Sequence, residues 1–271
     1  MTSIAGRTAL VTGASSGIGR ATAAALVARG CRVVGTSRHP DTLDPADRVP
    51  GVEYAALDLT DPVAVEAFAV RLQDVDVLVN NAGESQSGPL EELPADALER
   101  LFRLNVLAPV RLTQLALPGM RARGHGRVVM IGSMLASFPL AYRSSYVATK
   151  AAIRGFADGA RLELTPFGVH VTTVEPGSIN TGISTRRTVY LADDSPYAAD
   201  FRTMLATLDR NESAGIPAET VAATVLRAIE APRPRPLYAV GSRAPLVFAL
   251  KRVLPRSTVL RTVARRHGLS R

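Results

Sequence analysis

A phenol and an ammonium group stand four residues apart in Tyr146-Val147-Ala148-Thr149-Lys150. On a helix that spacing brings both to one face. A tyrosine with its ordinary pKa near ~10 is a poor acid or base at neutrality. A positive charge about 4 Å away favours the phenolate by up to about 4 kcal/mol at an effective dielectric of about 20. Tyr146 could then give a proton to a carbonyl oxygen or take one from an alcohol. The same Y-x-x-x-K spacing also describes an ordinary solvated helix face. Upstream, the apolar run Val128-Val129-Met130-Ile131-Gly132 ends at Ser133. That is the carboxyl edge of a strand, where open α/β sheets bind ligands, and the hydroxyl could hold a substrate oxygen or simply shape a turn. Asn105 is a polar residue in the apolar stretch Leu104-Asn105-Val106, where it is either part of this chemistry or a satisfied structural amide.

A second constellation opens the chain. Thr12-Gly13-Ala14-Ser15-Ser16-Gly17-Ile18-Gly19 follows the first strand-like run and leads into a helical pattern. A strand, a glycine turn and a helix start in that order aim backbone N–H groups and a helix dipole at a pyrophosphate. Hydroxyls of Ser15 and Ser16 can add hydrogen bonds. The glycines follow G-x-x-x-G-x-G, and a tight strand-to-helix joint needs glycines too. At the end of the second strand, where an acid would hold a free ribose 2′-OH, the chain reads Thr36-Ser37-Arg38-His39. A guanidinium fork at Arg38 with the Ser37 hydroxyl suits a 2′-phosphate, which favours NADP(H) over NAD(H). Asp58-Leu59 would flank the adenine, unless Asp58 is the N-cap of a helix entered at Pro62.

Together, Thr12-Gly13-x-x-x-Gly17-x-Gly19, Asp58, Asn80-Asn81-Ala82-Gly83, Asn105, Ser133, Tyr146, Lys150 and Glu175-Pro176-Gly177 resemble the short-chain dehydrogenase/reductase family in order and spacing, over about residues 6 to 183. The resemblance implies that Tyr146 is the proton donor, that Lys150 lowers its pKa and binds the nicotinamide ribose, and that Ser133 orients the carbonyl. It implies that Asn105 supports a water relay. Asn81, Ala82 and Gly83 would line the adenosine side, and Pro176, Gly177, Ile179 and Thr181 would cover the nicotinamide. Ser178 and Asn180 are polar departures that could alter the pocket floor. The spacing of Tyr146 and Lys150 and the length of the chain set it apart from the enoyl reductases and the extended sugar-nucleotide epimerases. The implied activity is an NADPH-dependent ketone reductase or secondary alcohol dehydrogenase. A nucleotide-sensing or scaffold protein on the same fold is the rival, though such proteins often lose Tyr, Lys or Ser. A homodimer or homotetramer is implied, with contacts around 98–116 and 155–164, and hydroxysteroid and retinol dehydrogenases are the similar branch.

Positioning such residues needs a parallel sheet. Short β-branched runs at 8–12, 32–37, 53–57, 75–80, 126–132, 170–175 and 236–240 alternate with helical patterns, including 18–29, 95–123 with an interruption at Pro109, 144–165 and 218–230. This is the signature of an α/β, Rossmann-type, doubly wound parallel sheet of about seven strands with helices on both faces. We expect one NADP(H)-binding domain over 1–242 and a basic amphipathic extension over 243–271 packed on it. The stretch from 231 to 236 is a stiff connector, too short for a domain linker.

At 271 residues and 46% hydrophobic content the chain can bury one sizeable core. It shows neither a signal-peptide pattern at its start nor an apolar run of transmembrane length, so a cytoplasmic protein is expected. The single cysteine, Cys31, reads as a buried structural thiol. The formal charge of +8 is concentrated at the end: residues 231–271 hold ten Lys/Arg and no acid, leaving 22 basic against 24 acidic residues in the first 230. Without a zinc-finger spacing or an aromatic-basic reading module, that excess is no argument for nucleic acid, and no metal site is expected. Leu246, Val247, Leu250, Val253 and Leu254, then Val259, Leu260 and Val263 after Pro255, describe two short amphipathic helices. Docking on the body near the substrate entrance is preferred to an anionic membrane surface. Met134, Leu135, Phe138, Leu140, Tyr142, Ile183 and Tyr190 should surround the substrate, with 184–211 as a lid. The set predicts a hydrophobic ketone or alcohol, unless Arg143, Arg186 or Arg187 turns inward and selects an acidic one.

Overall fold

The computed structural model describes residues 3–182 and 186–269. Seven strands form one sheet: β1 (Thr8–Val11), β2 (Arg32–Ser37), β3 (Val52–Ala56), β4 (Val77–Asn80), β5 (Gly126–Ile131), β6 (Val169–Pro176) and β7 (Leu237–Val240). Their order is β7-β6-β5-β4-β1-β2-β3 and every pairing is parallel. The chain winds outward from β1 in one direction and from β4 in the other, so a crevice opens at the carboxyl ends of these two neighbours. β4 and β5 are buried along their whole length, which is why their sequences are near-continuous apolar runs.

Among the described residues ten α-helices flank the sheet: α1 (Gly17–Val27), α2 (Pro62–Ala67), α3 (Ala69–Leu72), α4 (Ala95–Phe102), α5 (Ala108–Ala122), α6 (Ser144–Leu164), α7 (Ala198–Ser213), α8 (Ala218–Glu230), α9 (Ala244–Val253) and α10 (Arg256–Arg266). On one face Leu26, Val221, Val225 and Ile229 of α1 and α8 pack on Val11, Val79, Val129 and Val174. On the other, Leu112, Met120, Ile153 and Ala157 of α5 and α6 pack on Leu10, Leu78, Val128 and Val171. Each fully buried side chain of this size contributes roughly 1.5–3 kcal/mol. A third cluster joins Leu140, Phe201, Met204, Leu208 and Leu269, so the end of the chain is packed against α7. Cys31 is buried with its thiol on the Ile4 carbonyl at 3.2 Å, and burial pushes its pKa up.

The sheet has the expected strands within a residue or two. Two local features add to the sequence reading. The break in the long helix lies before Pro109, as a wide π turn over Arg103–Leu107 in which the Ala108 N–H reaches the Arg103 carbonyl. Pro109 has no N–H to offer the Asn105 carbonyl one turn back, so the ladder widens there. The cap of α2 is Asp61, which accepts from the Val63 N–H at 2.8 Å. Asp58 instead closes its own turn on the Thr60 N–H and hydroxyl, each at 2.8 Å. Among the described residues no helix is long and apolar enough to cross a membrane.

Candidate active site

One cavity of about 870 Å³ runs along the crevice from the glycine turn to α6 and on to α9 and α10. Its first end is made of backbone. Gly13 and Gly17 have φ of +65° and +52°, a conformation that favours glycine. Gly19 is squeezed further, because a Cβ there would lie 2.2 Å from the Gly13 carbonyl oxygen. Thr12 Oγ1 accepts from the N–H groups of Asn81 and Ala82 at 2.9 and 3.0 Å, while Asn81 Nδ2 donates to the Thr12 carbonyl at 2.9 Å. Asn81 therefore ties the end of β4 to the glycine turn. Ser16 precedes α1 without capping it, and the first turn of α1 has no acidic residue. Its amides are thus left to an anion in the cleft. Arg186 Nη1 adds a cation here, donating to Ser16 Oγ at 3.0 Å.

Gly13, Ser15, Ser16, Gly17 and Ile18 line this end, followed by Ser37, Arg38, Asp58 and Leu59, then Asn81, Ala82 and Gly83. Gly19 lies beneath the turn. Arg38 is exposed at the carboxyl edge of β2 and lowers the pKa of Asp58, although the Thr60 amide is the main cause of that shift. A turn with this donor set fits a dinucleotide, and Arg38 places a cation in the lining of the same end.

The other end is made of buried side chains. Ser133 closes β5, and its hydroxyl accepts from the Leu135 N–H at 3.2 Å. Tyr146 is buried and hydrogen-bonded to Ser133. Lys150 is buried too, and its ammonium donates to the Ile131 carbonyl at 2.8 Å. Burial alone pushes the Lys150 pKa down to about 8. Pro176, Gly177, Ile179 and Thr181 form the opposite wall.

Two expectations about this end change. The Lys150 ammonium is 5.7 Å from the Tyr146 ring centroid, whereas the Arg143 guanidinium is 4.5 Å from it. Burial raises the Tyr146 pKa, and Arg143 is the foremost cation opposing that rise. Asn105 does not line the cavity: its Oδ1 accepts from the Glu84 N–H at 2.9 Å, and its Nδ2 donates to the Glu84 carbonyl at 3.0 Å and Thr149 Oγ1 at 3.3 Å. Its side chain is a bracket between the β4 loop and α6.

Met134, Leu135 and Phe138 line the cavity as expected, but Leu140 and Tyr142 do not, and neither does Tyr190. Leu140 and Tyr142 belong to the α7 cluster. Ile183 and the first residues of the expected lid, 184 and 185, lie outside the described residues. Of the three arginines, Arg143 is the one that turns in beside Tyr146. Arg187 is buried but paired with Asp209 and Glu212, and Arg186 serves the glycine turn. Val247, Leu250, Val259 and Val263 of the last two helices and Leu254 between them also face the cavity, as do Leu208 and Glu212 of α7. Their helical periodicity signalled an apolar face without saying what it meets. Phe248 stacks edge-on against Phe138, with ring centroids 5.2 Å apart.

Residues 7–189 match the family described as short chain dehydrogenase. The chain is 36% identical to a short-chain dehydrogenase from Streptomyces avermitilis of known crystal structure, which covers 96% of this chain and 97% of its own with a TM-score of 0.81. It is also similar to a short chain dehydrogenase from Burkholderia cenocepacia crystallised in complex with NADP (27% identity, TM-score 0.77, 97% of this chain and 99% of that one). A 3-ketodihydrosphingosine reductase from Bacteroides thetaiotaomicron is 30% identical over 246 residues, 89% of this chain and 90% of the relative.

Proposed function

We propose, from the premise that this chain belongs to the short-chain dehydrogenase/reductase family, that it is an NADP(H)-dependent ketone reductase and secondary alcohol dehydrogenase. The observation that carries this reading is a single cleft with an uncapped helix start and Arg38 at one end and the Ser133–Tyr146–Lys150 cluster at the other. Gly13, Ser15, Ser16, Gly17, Ile18 and Gly19 would form the pyrophosphate turn, with Ser37 and Arg38 at the 2′-phosphate and Asp58 and Leu59 at the adenine. Asn81, Ala82 and Gly83 would line the adenosine side, and Pro176, Gly177, Ile179 and Thr181 the nicotinamide side. The bound nicotinamide supplies or receives the hydride. Ser133 holds the substrate oxygen and Tyr146 Oη gives it a proton in reduction or removes one in oxidation. Lys150, fixed to the Ile131 carbonyl, holds the nicotinamide ribose and keeps a positive charge near the phenol. Asn105 keeps the β4 loop against α6, and its backbone carbonyl, which Pro109 cannot serve, is the atom suited to a water relay.

Leu135, Phe138, Val247 and Leu250 share the cavity lining with Glu212, Lys251 and Arg266, and Arg143, although turned inward, is engaged by the Tyr146 ring and Ser87; the apolar part supports a hydrophobic ketone or alcohol, and a relative that is a reductase of a 3-keto sphingoid base is in keeping with that. We read 1–242 as the catalytic domain and 243–271 as an extension that completes the substrate wall. A homodimer or homotetramer through α4, α5 and α6 is supported by exposed Leu107, Phe156 and Leu162 on those faces. The test is turnover of a panel of ketones and secondary alcohols, read by nicotinamide absorbance with NADPH and NADH in parallel. Activity confined to NADH, or no turnover of any carbonyl by a protein that binds NADPH, would refute the proposal.

A further inference from the structure

We propose that Arg143 is a positioning residue of the reaction: stacked on the Tyr146 ring, it fixes the phenol and acts as a second cation, with Lys150, that sets the pH range in which the proton moves. The inference rests on the reading of Tyr146 as the proton-transfer group. Arg143 immediately precedes α6, three residues before Tyr146, so the helix start places the two side chains together. The guanidinium carbon lies 4.5 Å from the ring centroid, nearer than the ammonium of Lys150. A cation over an aromatic face is attracted to it, more so when desolvated. It stabilises the ring further when the oxygen carries negative charge.

The way Arg143 is held supports this use. It is 2% exposed. Nη1 donates to Ser87 Oγ at 3.0 Å, while Nε is buried without a hydrogen-bond partner. Burying a guanidinium with an unmet donor is unfavourable, and it pushes the Arg143 pKa down to about 10, which leaves it charged at neutrality. The residue before it, Tyr142, has φ of +64°, an uncommon conformation for a bulky side chain that is sustained only where the surroundings enforce it. The Tyr142 ring is wedged edge-on against Tyr197 and Phe201, and the Gly88 N–H donates to its carbonyl at 2.9 Å. That turn directs Arg143 beneath the tyrosine instead of into solvent.

The other charges that act on Tyr146 come from α7 and the segment before it. Glu212 opposes the phenolate and Arg187 favours it. Arg187 is bound to both Asp209 and Glu212, so these three largely compensate one another. On α6 there is Lys150, and at the end of β5 the uncharged Ser133 hydroxyl. Of the two cations over the ring, Arg143 is the nearer.

The experiment is the pH dependence of kcat/KM in both directions for the wild type, Arg143→Gln, Arg143→Met and Arg143→Lys, with folding checked by circular dichroism. Reduction requires the phenol, so its rate falls as pH rises through the Tyr146 pKa. Oxidation requires the phenolate, so its rate climbs through the same pKa. Loss of the Arg143 charge raises that pKa, and both midpoints should move up by about one pH unit. Arg143→Lys should bring them back toward the wild type. Arg143→Met fills the space with an apolar stem and serves if the glutamine variant does not fold. Reduced kcat with unmoved midpoints would overturn the proposal, as would a rise in KM confined to carboxylate-bearing substrates, which would make Arg143 a substrate receptor. If Tyr146→Phe retains turnover, the proposed function itself fails; an inactive Tyr146→Phe beside an unmoved Arg143→Gln profile sinks only this inference.

Discussion

The two ends of the cleft are built from different materials. At the glycine turn the ligand-facing groups are backbone amides, packed so tightly that Gly13 touches the β4 loop and Gly19 has no room for a methyl group. At the α6 end they are side chains, three of them cationic, ammonium or phenolic groups held out of water: Arg143, Tyr146 and Lys150. A backbone site recognises a feature common to many ligands, and it fails sterically. A site of desolvated charges is tuned by its neighbours, and it fails by degrees and with pH. Substitutions at the first end should therefore act on binding, and those at the second on rate.

The largest expected effect is at the second end. Tyr146→Phe removes one hydroxyl and should lower turnover by about 10³-fold, in the range of general acid–base catalysis. NADPH affinity should stay within a few-fold, as read by fluorescence titration. A comparable loss of affinity would erase the contrast between the ends. Gly19→Ala tests the other end: with a Cβ 2.2 Å from a carbonyl oxygen and 2.4 Å from Asn81 Nδ2, the turn must open. NADPH affinity should fall by about 100-fold or more, the loss of two or so charge-assisted hydrogen bonds. Wild-type affinity in this variant would show that the turn does not hold the phosphates.

Arg38→Asp comes next. Replacing a cation by an anion at the edge of β2 should weaken NADPH by about 10–100-fold and leave NADH little changed, so the preference between them narrows or reverses. Unaltered preference would assign the 2′-phosphate to another group, with His39 beside it the first to examine.

What could be read in advance follows the same division. Gly13 to Gly19 are contiguous, and Tyr146 and Lys150 are one helical turn apart, so local spacing is enough to assemble them. The seven strands were legible because buried parallel strands are written as apolar runs. Arg143 was legible only as one of three arginines able to turn inward; which of them does so depends on Ser87, and on Tyr197 and Phe201 packed against the neighbouring Tyr142, all distant in sequence. Asp58 was the one cap weighed for the helix at Pro62, but Thr60 closes it into its own turn and Asp61 caps the helix instead. The apolar stripe of α9 and α10 was visible, yet periodicity identifies a face and not the surface it meets.

The smallest predicted effect concerns that stripe and asks whether the second end of the cleft extends into the last two helices. Leu250 lines the cavity and is 44% exposed, and it belongs to none of the three buried clusters. Shortening it should therefore cost little stability, whereas truncation after residue 242 would strip Leu269 from Phe201 and Met204 and disturb α7 at the same time. A fully buried leucine is worth roughly 1.5–3 kcal/mol. With close to half of the side chain in water, contact with a long apolar substrate should account for about 1 kcal/mol, or a factor of about 5. Leu250→Ala should thus raise KM about 5-fold for a long-chain ketone and leave it unchanged for a short one, with NADPH affinity and the thermal midpoint near wild-type values. Steady-state kinetics across a homologous series of ketones reads this directly. An equal rise for short and long substrates would mean that Leu250 acts through the shape of the catalytic end, and no rise for either would confine the substrate wall to Leu135, Phe138 and their neighbours around β5 and α6.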